Sequence, residues 1–365
     1  MAKILIVSPN LIGKSMAGAA IRPWEFAKAL SQEHQVVLIS PGKSDVSSRE
    51  FQIVSFEDSS SAKHFKDADI LIAQRLTFPL ALLAKRHHLK IIIDAYVPGP
   101  LELLEHFKSD PLVDRQKKVF AETSNILLSF NMADGILCAS EKQRELWLGC
   151  LLGKKLITTE MYDQDPTLRN FLAVIPFGLP SHPPKKIGLG LREKFGLAAS
   201  DKIMIWGGGI WNWFDPLSLI KAMKIVSQKR SDIKLVFMGI KPPDPTLPAT
   251  SISAQTLQLA QELDLVNQSI FFNYDWVPYE LRQNFLLDAD IGVSTHFDHL
   301  ETHFSFRTRI LDYLWAELPI LATQGDSFAE LIERNQLGMI VPYQNEEAIA
   351  QSILEMLSHP QKLQK

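Results

Sequence analysis

The chain has 365 residues, too many for one ordinary domain and suited to two Rossmann-sized units. Hydrophobic residues make up 46% and charged residues 22%, a globular balance that fills two cores and argues against long disorder. The formal charge of -3 at pH 7 argues against nucleic acid as the main partner, because binding a phosphate backbone calls for a basic excess.

Cys138 and Cys150 are too few for a disulfide framework and too far apart for a zinc knuckle, so a reducing, cytoplasmic setting is expected. No apolar run reaches the roughly eighteen residues of a membrane span. The opening KILIVSP reads as a first strand that stops at Pro9, not as a signal peptide. A loop with Gly13 and Gly18 leads from it into a helix around Trp24 to Leu30, and Arg22 is either a ligand contact or a surface cation. HQVVLIS, DADILIAQ and KIIIDAY follow as strands separated by helices, apolar throughout as strands buried on both faces must be. A loop and a helical region to about Leu128 come next, then ADGILCAS, a helix and LAVIPFGLP. The expected N-terminal domain is 1–182, and the Pro-, Lys- and Gly-rich stretch in 183–200 reads as a linker.

The pattern restarts in an expected C-terminal domain, 201–365: DKIMIWGGG, a helix, IKLVFMGI, a polar helix, SIFFNYDWVP, a helix, ADIGVSTH, a helix from Phe306 to Trp315, and LPILATQG. The fold class expected is α/β, two Rossmann-like domains in series. Acidic residues precede three strands, at 67–69, 134 and 288–290. They mark strand entries and not a metal site, because ligands of open parallel sheets gather at the opposite strand ends.

Two segments of the second half sit where such ligands bind. In IWGGGIWNWFDP, Gly209 permits close backbone approach, while Trp211 and Asn212 supply a flat wall and an amide suited to a sugar or base. In HFDHLETHFSFRTRILDYLWAELPI, the amides of Ser305, Phe306, Arg307 and Thr308 open a helix where they and the Arg307 charge could hold a diphosphate. Asp312 lies four residues beyond Thr308 on the same face, about 6 Å along the axis, within reach of an attached ribose; an ion pair with Arg309 is its alternative role. His299 and His303 have i, i+4 spacing, but they precede the expected helix, so no metal is expected.

In the order of these motifs the chain resembles the retaining glycosyltransferases of family 4 over essentially its whole length. MADGILCAS followed by VIPFGLP looks like that family's serine-ended strand and its "IPNG" turn. FNYDWVPYELRQNFLLDADIGVSTH looks like its nucleotide-base segment, and Asp312 before YLWAELPI looks like the acid before "AMACGLPV". The resemblance implies the GT-B fold, two Rossmann-like domains facing across a cleft, with the donor on the C-terminal domain. Asp312 then takes the ribose-binding place, and Trp276 and Val277 fall in the base segment. The family's earlier acid falls on Phe304, so Glu301 or His303 would have to contact the donor sugar. Its diphosphate-clamping Arg and Lys fall on Gly209 and Phe214, leaving Arg307 and Arg309 as substitutes, with Arg307 acting on the leaving group. Asp94, beside Tyr96, stands where the family often has a histidine facing the sugar, and is equally a turn cap.

The activity implied is hexose transfer with retention from a nucleoside diphosphate sugar, UDP-glucose foremost, without metal or further cofactor. The acceptor would be a saccharide or lipid-linked sugar in surface polysaccharide synthesis, at the cytoplasmic face of the inner membrane. The family also adds a last helix crossing back to the N-terminal domain, and the chain stops soon after Leu357. A nucleotide-sugar 2-epimerase of the same fold and a non-catalytic nucleotide-sugar-binding remnant stay open as alternatives. An NAD-dependent oxidoreductase would need G-x-G-x-x-G, which neither glycine loop matches.

Overall fold

The computed structural model describes residues 1–243 and 250–358. The contacts divide the chain into two units, Met1–Phe177 and Gly178–Lys365.

The first unit runs β1 (Lys3–Val7), α1 (Gly18–Leu30), β2 (Gln35–Ser40), β3 (Gln52–Ser55), α2 (Ser61–Lys66), β4 (Ile70–Ala73), α3 (Phe78–Arg86) and β5 (Lys90–Asp94). It continues with α4 (Gly99–His106), α5 (Leu112–Met132), β6 (Gly135–Cys138), α6 (Glu141–Gly153), α7 (Thr159–Gln164) and β7 (Leu172–Val174). The seven strands form one parallel sheet in the order β3-β2-β1-β4-β5-β6-β7. Leu5, Leu71, Ile93 and Leu151 are among the fully buried residues of its core.

The second unit runs α8 (Leu191–Phe195), β8 (Lys202–Trp206), α9 (Pro216–Lys229), β9 (Ile233–Phe237), α10 (Ser251–Glu262), β10 (Ile270–Phe272), α11 (Arg282–Leu286) and β11 (Ile291–Ser294). Then come α12 (Leu300–Phe304), α13 (Thr308–Trp315), β12 (Ile320–Thr323), α14 (Ala329–Arg334), β13 (Gly338–Val341) and α15 (Glu346–Ser358). Its six parallel strands are ordered β10-β9-β8-β11-β12-β13, the doubly wound arrangement with its reversal between β8 and β11.

The residues expected to form a linker are fastened to the second unit. The Lys185 and Ile187 amides donate to Gln283 and Asn284 at 2.8 and 2.7 Å, and Lys186 pairs with Asp288 at 2.8 Å. The acids before strands have one shared role. Asp69, Asp134 and Asp290 each accept the amide of a residue opening a neighbouring strand (Lys3, Ile91, Ile203), all at 2.8 Å. Parallel strands begin with amides that no partner strand reaches, and these carboxylates satisfy them at the sheet end remote from the ligand crevice.

Candidate donor site in the C-terminal unit

The reversal of strand order parts the loops that follow β8 and β11 and opens a crevice at their C-terminal ends. Tyr313, on the buried face of α13, ties the two strands together there. Its hydroxyl accepts the Gly207 amide at 2.8 Å and reaches the Val293 and Ile205 carbonyls at 2.8 and 3.1 Å. Burial pushes this phenol up to about 12, so it acts as a neutral hydrogen-bonding strut. The ring lies so close to Gly292 that a Cβ there would fall 2.3 Å from its Cγ, which is why a side chain is missing in the middle of β11.

In the loop after β8 only Gly208 takes a left-handed backbone, with φ of 76°. Gly209 is small for another reason: the Trp276 indole lies over it, and a Cβ would approach that ring to 3.2 Å. Trp276 also covers Gly239 after β9, so the segment after β10, with Val277 buried, roofs the glycine loop. Trp211 stacks on Trp213 with centroids 5.8 Å apart and planes at 14°. Asn212 has a structural role. Its Oδ1 accepts from Ser251 Oγ and the Ile252 amide at 3.1 and 3.2 Å, so it holds down the start of α10.

The loop after β11 brings the larger corrections. The segment around His299 and His303 does not simply precede a helix: His299 caps the short helix α12, its Nδ1 accepting the Thr302 amide at 3.1 Å. His303 ends up exposed with its ring against Phe304. Glu301 is 1% exposed and takes two hydrogen bonds from Arg307, both at 2.7 Å, so it has no free oxygen for a donor sugar. Arg307, placed by sequence as a free charge at the helix end, is the N-cap residue of α13 with most of its guanidinium spent on Glu301. Charges this deep must be paired, and Glu301 is the carboxylate one short helix away. Ser305 is buried and donates to the Thr302 carbonyl at 3.1 Å, Phe306 packs on Phe328, and Thr308 opens α13.

Of the two buried arginines at the start of α13, Arg309 is the one without a carboxylate partner. It is buried, donates to the Gly209 carbonyl at 2.9 Å, and lies over the rings of Phe214 and Trp206 at 4.1 and 4.5 Å. Its guanidinium therefore occupies the neighbourhood of Gly209 and Phe214, the two positions where the clamping cations of the resembled family are missing. Burial pulls its pKa down to about 10, with the Arg307 charge acting in the same direction. Arg309 Nη1, Arg307 Nε and His299 Nε2 are all buried without a hydrogen-bond partner. Since His299 Nδ1 is an acceptor, its Nε2 is a donor in the neutral ring. The Arg309 guanidinium is beside the glycine turn and Arg307 is at the N-terminus of α13, and their unpartnered donors suit a multiply charged anion.

His296, fully buried, donates from Nε2 to the Gln324 carbonyl at 3.1 Å. Burial, reinforced by the Arg307 charge, holds it well below the usual histidine value of 6.5, so it is neutral.

Asp312 is half-exposed and pairs with Arg282 at 2.9 Å, not with Arg309. Arg282 in turn lies over Tyr279 and Trp315 at 3.8 and 4.7 Å. Nothing in the sequence pairs residues thirty apart, and Arg282 escaped notice. Arg309 left more of a signal: it shares the apolar face of α13 with Tyr313, four residues on, and a cation on such a face needs a reason.

In the first unit, Asp94 closes β5 and is 3% exposed, and Arg22 Nε lies 2.9 and 2.7 Å from its two oxygens. Arg22 is not a surface cation: it donates to the Ile175 carbonyl at 2.7 Å and is enclosed by Phe26, Tyr96 and Phe177, with Nη1 buried and without a hydrogen-bond partner. Asp94 is thus held in a buried ion pair. Gly18 is the first residue of α1.

Residues 201–359 match the family model described as glycosyl transferases group 1. The matched stretch lies within the C-terminal unit, which is similar to that family. The whole chain has the GT-B fold of solved glycosyltransferases. WaaG, a glycosyltransferase involved in lipopolysaccharide biosynthesis, aligns over 99% of this chain and 92% of its own at 12% identity, with a TM-score of 0.66. HepE from Anabaena, in complex with UDP and glucose, aligns over 100% and 92% at 13% identity and a TM-score of 0.63. A putative UDP-N-acetylglucosamine 2-epimerase from Listeria monocytogenes aligns over 99% and 89% at 12% identity and a lower TM-score of 0.54. No curated protein matches the sequence. Within the matched residues, the crevice between β8 and β11 is the place the fold assigns to a ligand.

Proposed function

We propose that the protein transfers a hexose, with retention, from a nucleoside diphosphate sugar to a saccharide or lipid-linked acceptor in surface polysaccharide synthesis, with UDP-glucose as donor. The observation that carries the reading is Arg309, a buried guanidinium without a carboxylate at the glycine turn, with the unpartnered Arg307 Nε at the N-terminus of α13. A diphosphate supplies the acceptors and the negative charge these groups lack. Asp312, with its free side toward solvent and Arg282 fixing the other, accepts from ribose hydroxyls, and the base lies against the Trp276 segment.

In the reaction the bond between the sugar C1 and the β-phosphate oxygen breaks, and one between C1 and the acceptor oxygen forms on the same face. The acceptor proton passes to the departing phosphate oxygen, and the nucleoside diphosphate leaves. The protein positions the partners and stabilises the charge growing on the phosphate through Arg309 and the α13 amides. No metal is needed in this scheme.

Epimerisation would require free acid and base carboxylates, whereas Glu301 and Asp94 are each engaged by an arginine. That engagement, with the group 1 match, favours transfer. No helix among the described residues is long and apolar enough to cross a membrane. Contact with the cytoplasmic membrane face is supported by α3, where exposed Phe78 and Leu82 are followed on the same side by Lys85 and Arg86.

Calorimetric titration with UDP, GDP, ADP and NAD tests the reading. Micromolar binding of one nucleoside diphosphate, weakened in Asp312→Ala, is the expected result. Absence of binding by all four, with no donor hydrolysis or transfer, would leave the remnant alternative standing.

A further inference from the structure

On the other side of the β8 loop, among α9, α10 and the segment after β11, lies a cavity of about 380 Å³, lined in part by Asp215, Lys221, Gln255, Gln258, Glu262 and Phe297. Asp215 is 1% exposed; its Oδ1 accepts the Ser218 amide at 3.0 Å, while Oδ2 is buried without a partner. A buried carboxylate oxygen left unpaired is costly, and a ligand hydroxyl would satisfy it.

The lining decides the class of ligand. Two carboxylates against one lysine, itself paired with Glu346 at 3.4 Å, disfavour an anion, and polar groups interspersed with Leu217, Leu259 and Phe297 suit an amphipathic ligand over a wholly apolar one. Gln255 both donates and accepts, Gln258 keeps its oxygen as an acceptor while its Nε2 donates to Glu262 at 2.8 Å, the carboxylates accept, Lys221 has protons beyond its pair with Glu346, and Phe297 offers a flat apolar face. Closely spaced hydroxyls on a ring with an apolar side match that set, and the volume lies within the range of small-molecule sites. We propose that this cavity is a second saccharide site, holding one hexose-sized unit apart from the nucleotide crevice.

The two places are mechanically joined. Asp215 donates its amide to the Thr295 carbonyl at 3.1 Å and accepts from Thr295 Oγ1 at 2.5 Å, and the adjacent Phe214 bridges to His296. The Phe214 ring lies under both Arg307 and Arg309, at 4.8 and 4.1 Å. A sugar that fixes Asp215 therefore shifts nucleotide affinity, and nucleotide shifts sugar affinity by the same factor; this coupling alone rests on the donor reading.

The test is saturation-transfer NMR on the full chain with D-glucose, D-galactose and N-acetylglucosamine as probes, each titrated with and without saturating UDP. At least one sugar is expected to bind saturably in both conditions. Its affinity should fall about tenfold or more in Gln255→Ala/Gln258→Ala, as two lost hydrogen-bonding groups imply. Both positions are exposed on α10 and alanine keeps the helix; Lys221→Ala, exposed on α9, serves as a second variant. No saturable binding, unchanged binding in both variants, or complete displacement by UDP would overturn the proposal. Failure of UDP to bind would count against the donor reading only, since the direct sugar titration and its variants still decide the second site.

Discussion

Replacing Arg309 by methionine separates a cation kept for a ligand from one kept for the fold. The drop in its pKa from 12.5 to about 10 corresponds to about 3 kcal/mol spent on holding the charge inside the protein. Contacts with two aromatic rings at about 1 kcal/mol each, and one hydrogen bond of about 1 kcal/mol to the Gly209 carbonyl, return a similar amount. Arg309→Met removes both sides of that balance at similar volume, so Tm should stay within a few degrees of the wild-type value. Binding should behave differently. Charged hydrogen bonds to a diphosphate are worth about 1.5–3 kcal/mol, so the Kd for UDP should rise about 10- to 150-fold. Isothermal titration with UDP and with uridine, alongside a thermal melt, reads all three quantities; uridine, lacking phosphates, should bind both proteins alike. Unchanged UDP affinity, or a collapse in Tm, would refute the reasoning and make Arg309 a structural residue.

Glu301→Ala should cost about 3–5 kcal/mol in urea unfolding, because it strands Arg307 in a buried position; stability equal to wild type would mean the pair is dispensable. Stability should also fall as pH drops below 6.5. His296 stays neutral when folded and gains a proton when unfolded, so its contribution is complete above the unfolded value and is lost toward the depressed folded one. The slope is about 1.4 kcal/mol per pH unit for that proton, and an equally steep profile in His296→Gln would remove the histidine from the account. Excess chelator should leave sugar transfer unchanged, whereas inhibition reversed by a divalent cation would restore a metal to the mechanism.

The two parallel sheets were legible because strands buried on both faces must be apolar throughout, and the runs ILIV, VVLI and KIII stand out between amphipathic helices. The acids at strand entries were equally legible. They act on backbone amides of the adjacent strand in every repeat of the motif. The location of the crevice followed as well, since alternating strands and helices with glycine turns prescribe a sheet whose ligands sit at the strand C-termini.

What tertiary structure alone decided was the state of each charge. Arg307, Glu301, Asp94 and Asp312 were all visible as candidates, yet their partners lie 6, 72 or 30 residues away in sequence and become neighbours only once the helices and strands that carry them pack. A carboxylate reads the same in a sequence whether it faces a substrate or an arginine. Burial selects between them, because a charge removed from water must find its counter-charge within the fold or have one supplied by a ligand. Glu301 and Asp94 found theirs within the fold, while Arg309 did not, and that difference moves the candidate phosphate contact from the N-cap of α13 to the second residue of the helix.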